Sequence, residues 1–101
     1  MESSTYDLVI DNARIIDGLG NPAIEGALAV KDGRIAAVGK VSGDATKRVD
    51  AEGRVLAPGI VDLHTHFDAQ LTWDPFATPS VALGVTTVVI GNCGFGIAPA
   101  P

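Results

Sequence analysis

Hydrophobic and polar positions follow two different rhythms along this chain. From Tyr6 to about Leu56, short apolar stretches alternate loosely with polar residues and are cut by turn residues, the pattern of strands with one face toward a core. YDLVIDNARIID, Tyr6–Asp17, predicts the first strand, and GLGNP, Gly18–Pro22, the turn that ends it. In GALAVKDGRIAAVG, Gly26–Gly39, two apolar runs flank Asp32-Gly33, a dipeptide that tolerates positive φ and so predicts a tight hairpin. A weaker strand is expected over Lys47–Ala51, before a turn at Glu52-Gly53. A few antiparallel strands of this kind still need something to cover their apolar face.

The rhythm then changes. Ile60–Leu63 and Val85–Ile90 (VTTVVI) are continuous apolar or β-branched runs, expected of parallel strands covered on both faces. Between them, Thr78 offers an N-cap with Pro79 at the first helical position, and Gly84 supplies a stop after Ser80–Leu83. The gap from Leu63 to Val85 is long enough for a right-handed crossover, so this half predicts one β-α-β unit. Two strands do not make a sheet buried on both faces, and the chain is expected to be the beginning of a longer protein. No internal repeat of the solenoid kind is present.

Composition narrows the classes. With 101 residues, 47% hydrophobic and 12 glycines, the chain suits one small domain or part of a larger one, not a disordered segment. The net charge of −5, with no basic residue after Arg54, argues against nucleic acid and against an anionic membrane surface. A single cysteine cannot form an internal disulfide. The start MESSTYD has no basic region followed by an apolar core, and no apolar run approaches a membrane span, so a cytoplasmic location is the default expectation.

The candidate chemistry sits where the apolar runs end. Residues two apart on a strand share a face, so Asp62, His64 and His66 are expected to point one way and Val61, Leu63 and Thr65 the other. Two imidazoles on that spacing converge on one cation at about 2 Å from each nitrogen. Cys93 follows the second apolar run as His66 follows the first. In β-α-β geometry both strand ends lie on one side of the sheet, about 4.8 Å apart, within reach of a shared ion. The competing readings are ordinary solvated histidines, a buried cysteine acting as a small hydrophobe, and a Cys-His nucleophilic pair, which lacks a third orienting group. GNCGFG, Gly91–Gly96, has the spacing G-x-x-G-x-G, and Pro99 and Pro101 stand where a phosphate-binding helix would start, so a dinucleotide loop is rejected. Asp68 and Asp74 are polar candidates in the loop above the first strand. Trp73 and Phe76 are expected to pack the crossover.

Pro58-Gly59-Ile60-Val61-Asp62-x-His64-x-His66 resembles the signature at the first barrel strand of the amidohydrolase superfamily. GVTTVVIGNCG, Gly84–Gly94, is similar to the D-aminoacylase, or N-acyl-D-amino-acid deacylase, branch, including the spacing from His66 to Cys93. The resemblance implies an α/β fold: the N-terminal part of a TIM-type (β/α)8 barrel, preceded by part of a small β-sandwich domain. The expected division is residues 1–56 for the sandwich portion and 57–101 for the first, incomplete β-α-β portion of the barrel. It further implies zinc, one or two ions, with His64 and His66 at one position and Cys93 contributing to the principal one. Asp62 becomes a supporting residue below the metal, and Asp68 a second supporting or substrate-loop residue. The substrate implied is a small N-acyl amino acid, and the remaining partner is the rest of the barrel. The general-base carboxylate and further ligands are expected downstream, leaving these residues alone inactive. Many D-aminoacylases carry an acidic residue where this chain has Phe67, so the acyl-amino-acid preference is open. The runner-up activity is cyclic-amide hydrolysis of the dihydroorotase or hydantoinase type. A non-catalytic fragment, or a module associating through strand edges, is the reading from another class.

Overall fold

The computed structural model describes residues 5–93, and the chain divides into two compact units between Pro58 and Gly59. The leading residues 1–4, Gly94 and Gly96 of the glycine run and the closing APAP lie outside the described residues.

The first unit is a five-stranded mixed sheet. Strands β1 (Thr5–Ile15), β2 (Ile24–Lys31) and β3 (Arg34–Gly39) form an antiparallel meander, as the turn residues predict. Asp32 and Gly33 both take positive φ, 52° and 74°, matching the twist a two-residue hairpin needs. Strands β4 (Asp44–Asp50) and β5 (Val55–Leu56) then lie on the other side of β1 and run parallel to it. This corrects the expectation of purely antiparallel strands. Parallel pairing is made by a crossing segment, not by a tight turn, so no local dipeptide announces it. The segment between β3 and β4 brings Val41 onto the cluster of Val9, Ala27 and Ala29, with Tyr6, Ala37 and Ala45 around it. Alanines at the centre of β2 leave room for that close approach.

A bulge decides which face each half of β1 serves. Val9 lies opposite Ala29, and Ile10 opposite Leu28, but Ala13 lies opposite Gly26 and Ile15 opposite Ile24. One extra residue has entered β1 around Asn12, whose φ is 54°. Alternation has period two, so that insertion sends the odd positions after the bulge to the opposite face. Val9 therefore joins the alanine cluster, whereas Ile15 lines an apolar recess of about 300 Å³ with Leu28, Ile35, Val38 and Leu56. The buried core is small, with Val9 the one large side chain fully buried among the described residues.

The second unit pairs β6 (Ile60–Asp62) with β7 (Val85–Val88) in parallel. A four-residue helix, α1 (Phe67–Gln70), and a single 3-10 turn at Ser80–Leu83 occupy the connection. The expected cap is corrected: Pro79, not Thr78, precedes the turn, and no side chain caps it. Thr78 is engaged elsewhere, since its N–H and hydroxyl both donate to Asp74 Oδ2, at 2.8 and 2.6 Å. Gly84 ends the turn as predicted, at φ 94°. The apolar runs are not covered on both faces. Ile60 and Val61 are each 54% exposed, because a two-stranded sheet has no layer to bury them. Trp73 and Phe76 are 71% and 75% exposed, so they do not pack the crossover within this unit. None of the described helices is long and apolar enough to cross a membrane.

Candidate metal centre

Pro58-Gly59 opens β6 for a steric reason. A Cβ at position 59 would collide with the Thr86 side chain on β7, so only glycine lets the two strands pair at that level. The strand is short and ends at Asp62, whose Oδ1 accepts the His64 N–H at 3.1 Å. That local bond turns the chain out of the strand and replaces the extended conformation expected through His66. The alternation nevertheless persists at the crucial positions. Thr65 is buried, with its hydroxyl donating to Val89 O at 2.8 Å, while His64 and His66 on either side are exposed. Their rings lie nearly parallel, 12° apart with centroids 6.0 Å apart.

The end of β7 is stitched to this turn. Val89 N–H donates to Asp62 O at 2.9 Å, and Asn92 Nδ2 donates to Leu63 O at 3.1 Å. From beyond the histidines, Asp68 Oδ2 accepts Gly91 N–H at 2.8 Å. Gly91 takes φ 85°, a left-handed conformation that suits glycine, and carries the chain round to Cys93.

The result is a three-donor cluster. One ligand atom each from His64, His66 and Cys93 lies within 4.8 Å of the other two. A zinc ion about 2.0–2.3 Å from each donor in tetrahedral geometry separates the donors by roughly 3.3–3.8 Å. Side-chain adjustments of about 1 Å close that difference, well within rotamer freedom for exposed imidazoles. Two nitrogens and one sulfur are a donor set zinc accepts. A further observation favours a cation: Asp68 Oδ1 is fully buried with no hydrogen-bond partner among the described residues. A buried carboxylate oxygen without a donor is costly, and a neighbouring cation is one way such a cost is offset; Asp68 itself stands outside the three-donor group. The residues present fit a metal ion.

Asp74 has a different job from the one considered for it. Its Oδ2 accepts from Thr78 N–H, Thr78 Oγ1 and Gln70 Nε2, so it ties up the connection rather than facing a ligand. The Thr78 hydroxyl bond, with Thr78 N–H and Gln70 in support, holds this carboxyl below its ordinary pKa. Sequence reasoning missed Thr65, Gln70 and Asn92. An Asp followed four residues later by Thr was the one available signal for the Asp74 turn; the other two bonds connect residues more than 20 positions apart and leave no local trace.

Comparison with known proteins places the chain in a family. The model of the Amidohydrolase family matches residues 47–100. The N-acyl-D-aspartate deacylase of Alcaligenes xylosoxydans xylosoxydans is 48% identical over 94 residues, covering 92% of this chain and 19% of that protein. The D-aminoacylase of the same organism is 44% identical over 99 residues, covering 97% and 20%. A crystal structure of N-acyl-D-glutamate deacylase from Bordetella bronchiseptica, complexed with zinc and a phosphonate mimic of the tetrahedral intermediate, superposes with a TM-score of 0.86. That match is 42% identical and covers 97% of this chain and 21% of that one. The chain thus spans about a fifth of the length of the relatives it matches.

Proposed function

Because this chain belongs to the amidohydrolase family, we propose that it forms the leading portion of a zinc-dependent hydrolase that cleaves the linear amide of N-acyl-D-amino acids, releasing a carboxylate and a free amino acid. The observation that carries the reading is the convergence of His64, His66 and Cys93 within 4.8 Å at the ends of adjacent parallel strands. Deacylases acting on N-acyl-D-aspartate and N-acyl-D-glutamate among the relatives support the substrate class. The second unit fits the opening β-α-β of a (β/α)8 barrel, and the first fits part of a small β domain.

In this mechanism His64 and His66 would each offer an imidazole nitrogen, and Cys93 its sulfur, to one or two zinc positions. A zinc ion bound there would supply Lewis acidity for the amide carbonyl and for a water nucleophile. Asp62 fixes the direction of His64 by accepting its backbone N–H, and Thr65 anchors the turn between the imidazoles by its bond to Val89 O. Proton transfer from water to the leaving amine needs a carboxylate within hydrogen-bond reach of both. Asp68 and Asp74 each hold a backbone N–H by Oδ2, and this reading gives the proton-transfer role to a carboxylate outside positions 5–93.

The test is made on the protein purified from its source cells. The expected result is a zinc-containing species several times heavier than 10.3 kDa that releases free amine from N-acyl-D-amino acids and leaves hydantoins and dihydroorotate closed. A native species of 10.3 kDa, or ring opening without deacylation, overturns the proposal.

A further inference from the structure

Among the described residues, four hydrogen bonds join the histidine turn to the Cys93 turn, and they are not equivalent. Val89 N–H to Asp62 O, Thr65 Oγ1 to Val89 O and Asn92 Nδ2 to Leu63 O all reach residues that precede His66. Each leaves the chain free to swing after the last imidazole. The fourth, Gly91 N–H to Asp68 Oδ2 at 2.8 Å, comes from the far side of His66. It is also the one of the four whose acceptor is a side-chain oxygen rather than a backbone carbonyl. It grips a left-handed glycine two residues before Cys93, where a small rotation about the backbone moves the thiol most.

We propose that Asp68 is the positioning residue that holds Cys93 against the two imidazoles, closing the histidine turn and the cysteine turn into one cradle. Its meaning for zinc rests on the metal reading above; the positioning itself is a property of the chain without metal. One accepting oxygen suffices for the grip, so asparagine keeps it and alanine abolishes it. The second oxygen is buried and has no hydrogen-bond partner among the described residues.

Nuclear magnetic resonance on the isotope-labelled full chain tests this with wild type, Asp68→Ala and Asp68→Asn. Without metal, wild type is expected to show Overhauser contacts between the Cys93 β protons and imidazole ring protons, with a protected Gly91 amide. Asp68→Ala loses the contacts, and Gly91 exchange quickens by tenfold or more; Asp68→Asn restores both. Contacts retained in Asp68→Ala, or lost in a folded Asp68→Asn, overturn the proposal. Should Asp68→Ala unfold the second unit, the asparagine chain alone carries the decision on the same criterion. Cobalt(II) titration separates the two readings. Wild type should develop a thiolate-to-cobalt charge-transfer band, and Asp68→Ala should weaken cobalt binding by roughly 10- to 100-fold, the usual cost of removing a residue that orients a ligand. A wild-type chain with the contacts but no such band refutes the metal reading and leaves the positioning inference standing.

Discussion

Replacing Cys93 with alanine removes one of three donors and is the sharpest perturbation of the proposed centre. Its magnitude follows from the donor set. Four-ligand zinc sites bind with an apparent free energy of about 10–16 kcal/mol at neutral pH, so one ligand accounts for roughly 2.5–4 kcal/mol. At about 1.4 kcal/mol per decade, the loss of Cys93 weakens zinc binding by roughly 10²- to 10³-fold. The thiol proton must leave when the sulfur binds, so wild type should also release about one more proton per zinc than the variant does. Calorimetric titration with zinc and a competing chelator, repeated in two buffers of different ionisation enthalpy, reads both quantities. Cys93 is half-buried and lies past the last hydrogen-bonded residue of β7, so the variant is expected to keep its strand content by circular dichroism. Zinc affinity within about threefold of wild type, with unchanged proton release, would refute the ligand assignment.

Other outcomes follow from the packing. Gly59→Ala drives a Cβ into Thr86 and should destabilise the second unit by roughly 1–3 kcal/mol, the usual cost of overpacking, with Thr86→Ala in the same chain recovering much of it; urea denaturation followed by amide signals of β7 reads both. Val9→Ala deletes two methyl groups at the one large side chain fully buried among the described residues and should cost about 2 kcal/mol in transfer and cavity terms, measured as a shift of the urea midpoint of the first unit. For Asp74, whose folded pKa is depressed chiefly by the Thr78 hydroxyl, the stabilising contribution is complete above the ordinary aspartate value and is lost as pH falls through the lowered folded value. Protection of the Thr78 amide should therefore hold steady down to about pH 4 and decline below it, and Asp74→Asn should flatten that dependence.

Much of this protein is legible from short stretches. Asp32-Gly33 announces the β2–β3 hairpin because both positions need positive φ, and Gly84 announces the end of the 3-10 turn for the same reason. His64, His66 and Cys93 declare themselves by residue type and by standing at the ends of apolar runs, and the fold brings those three together. Thr78 misleads, because its preference for capping competes with a carboxylate four residues earlier and loses. Trp73 and Phe76 mislead in another way: large apolar side chains signal burial, but the chain supplies no second layer to bury them among the described residues.

What the sequence by itself determined, then, is everything carried by local conformational preference and by chemical identity: turns, strands, the parallel pairing implied by a long connection, and the nitrogen and sulfur donors. What only the tertiary structure decided are the relations made by single residues meeting across long intervals. The bulge at Asn12 reassigns Ile15 to the opposite face from Val9, since one inserted residue reverses a period of two. The crossing segment places β4 beside β1 and sets Val41 on the alanines. Asp68 Oδ2 meets the Gly91 N–H, where the sequence offered a supporting or substrate-loop candidate with no partner named. A hydrogen bond across 23 residues leaves no periodicity to read, because its partners are chosen by where the backbone has already been folded to lie.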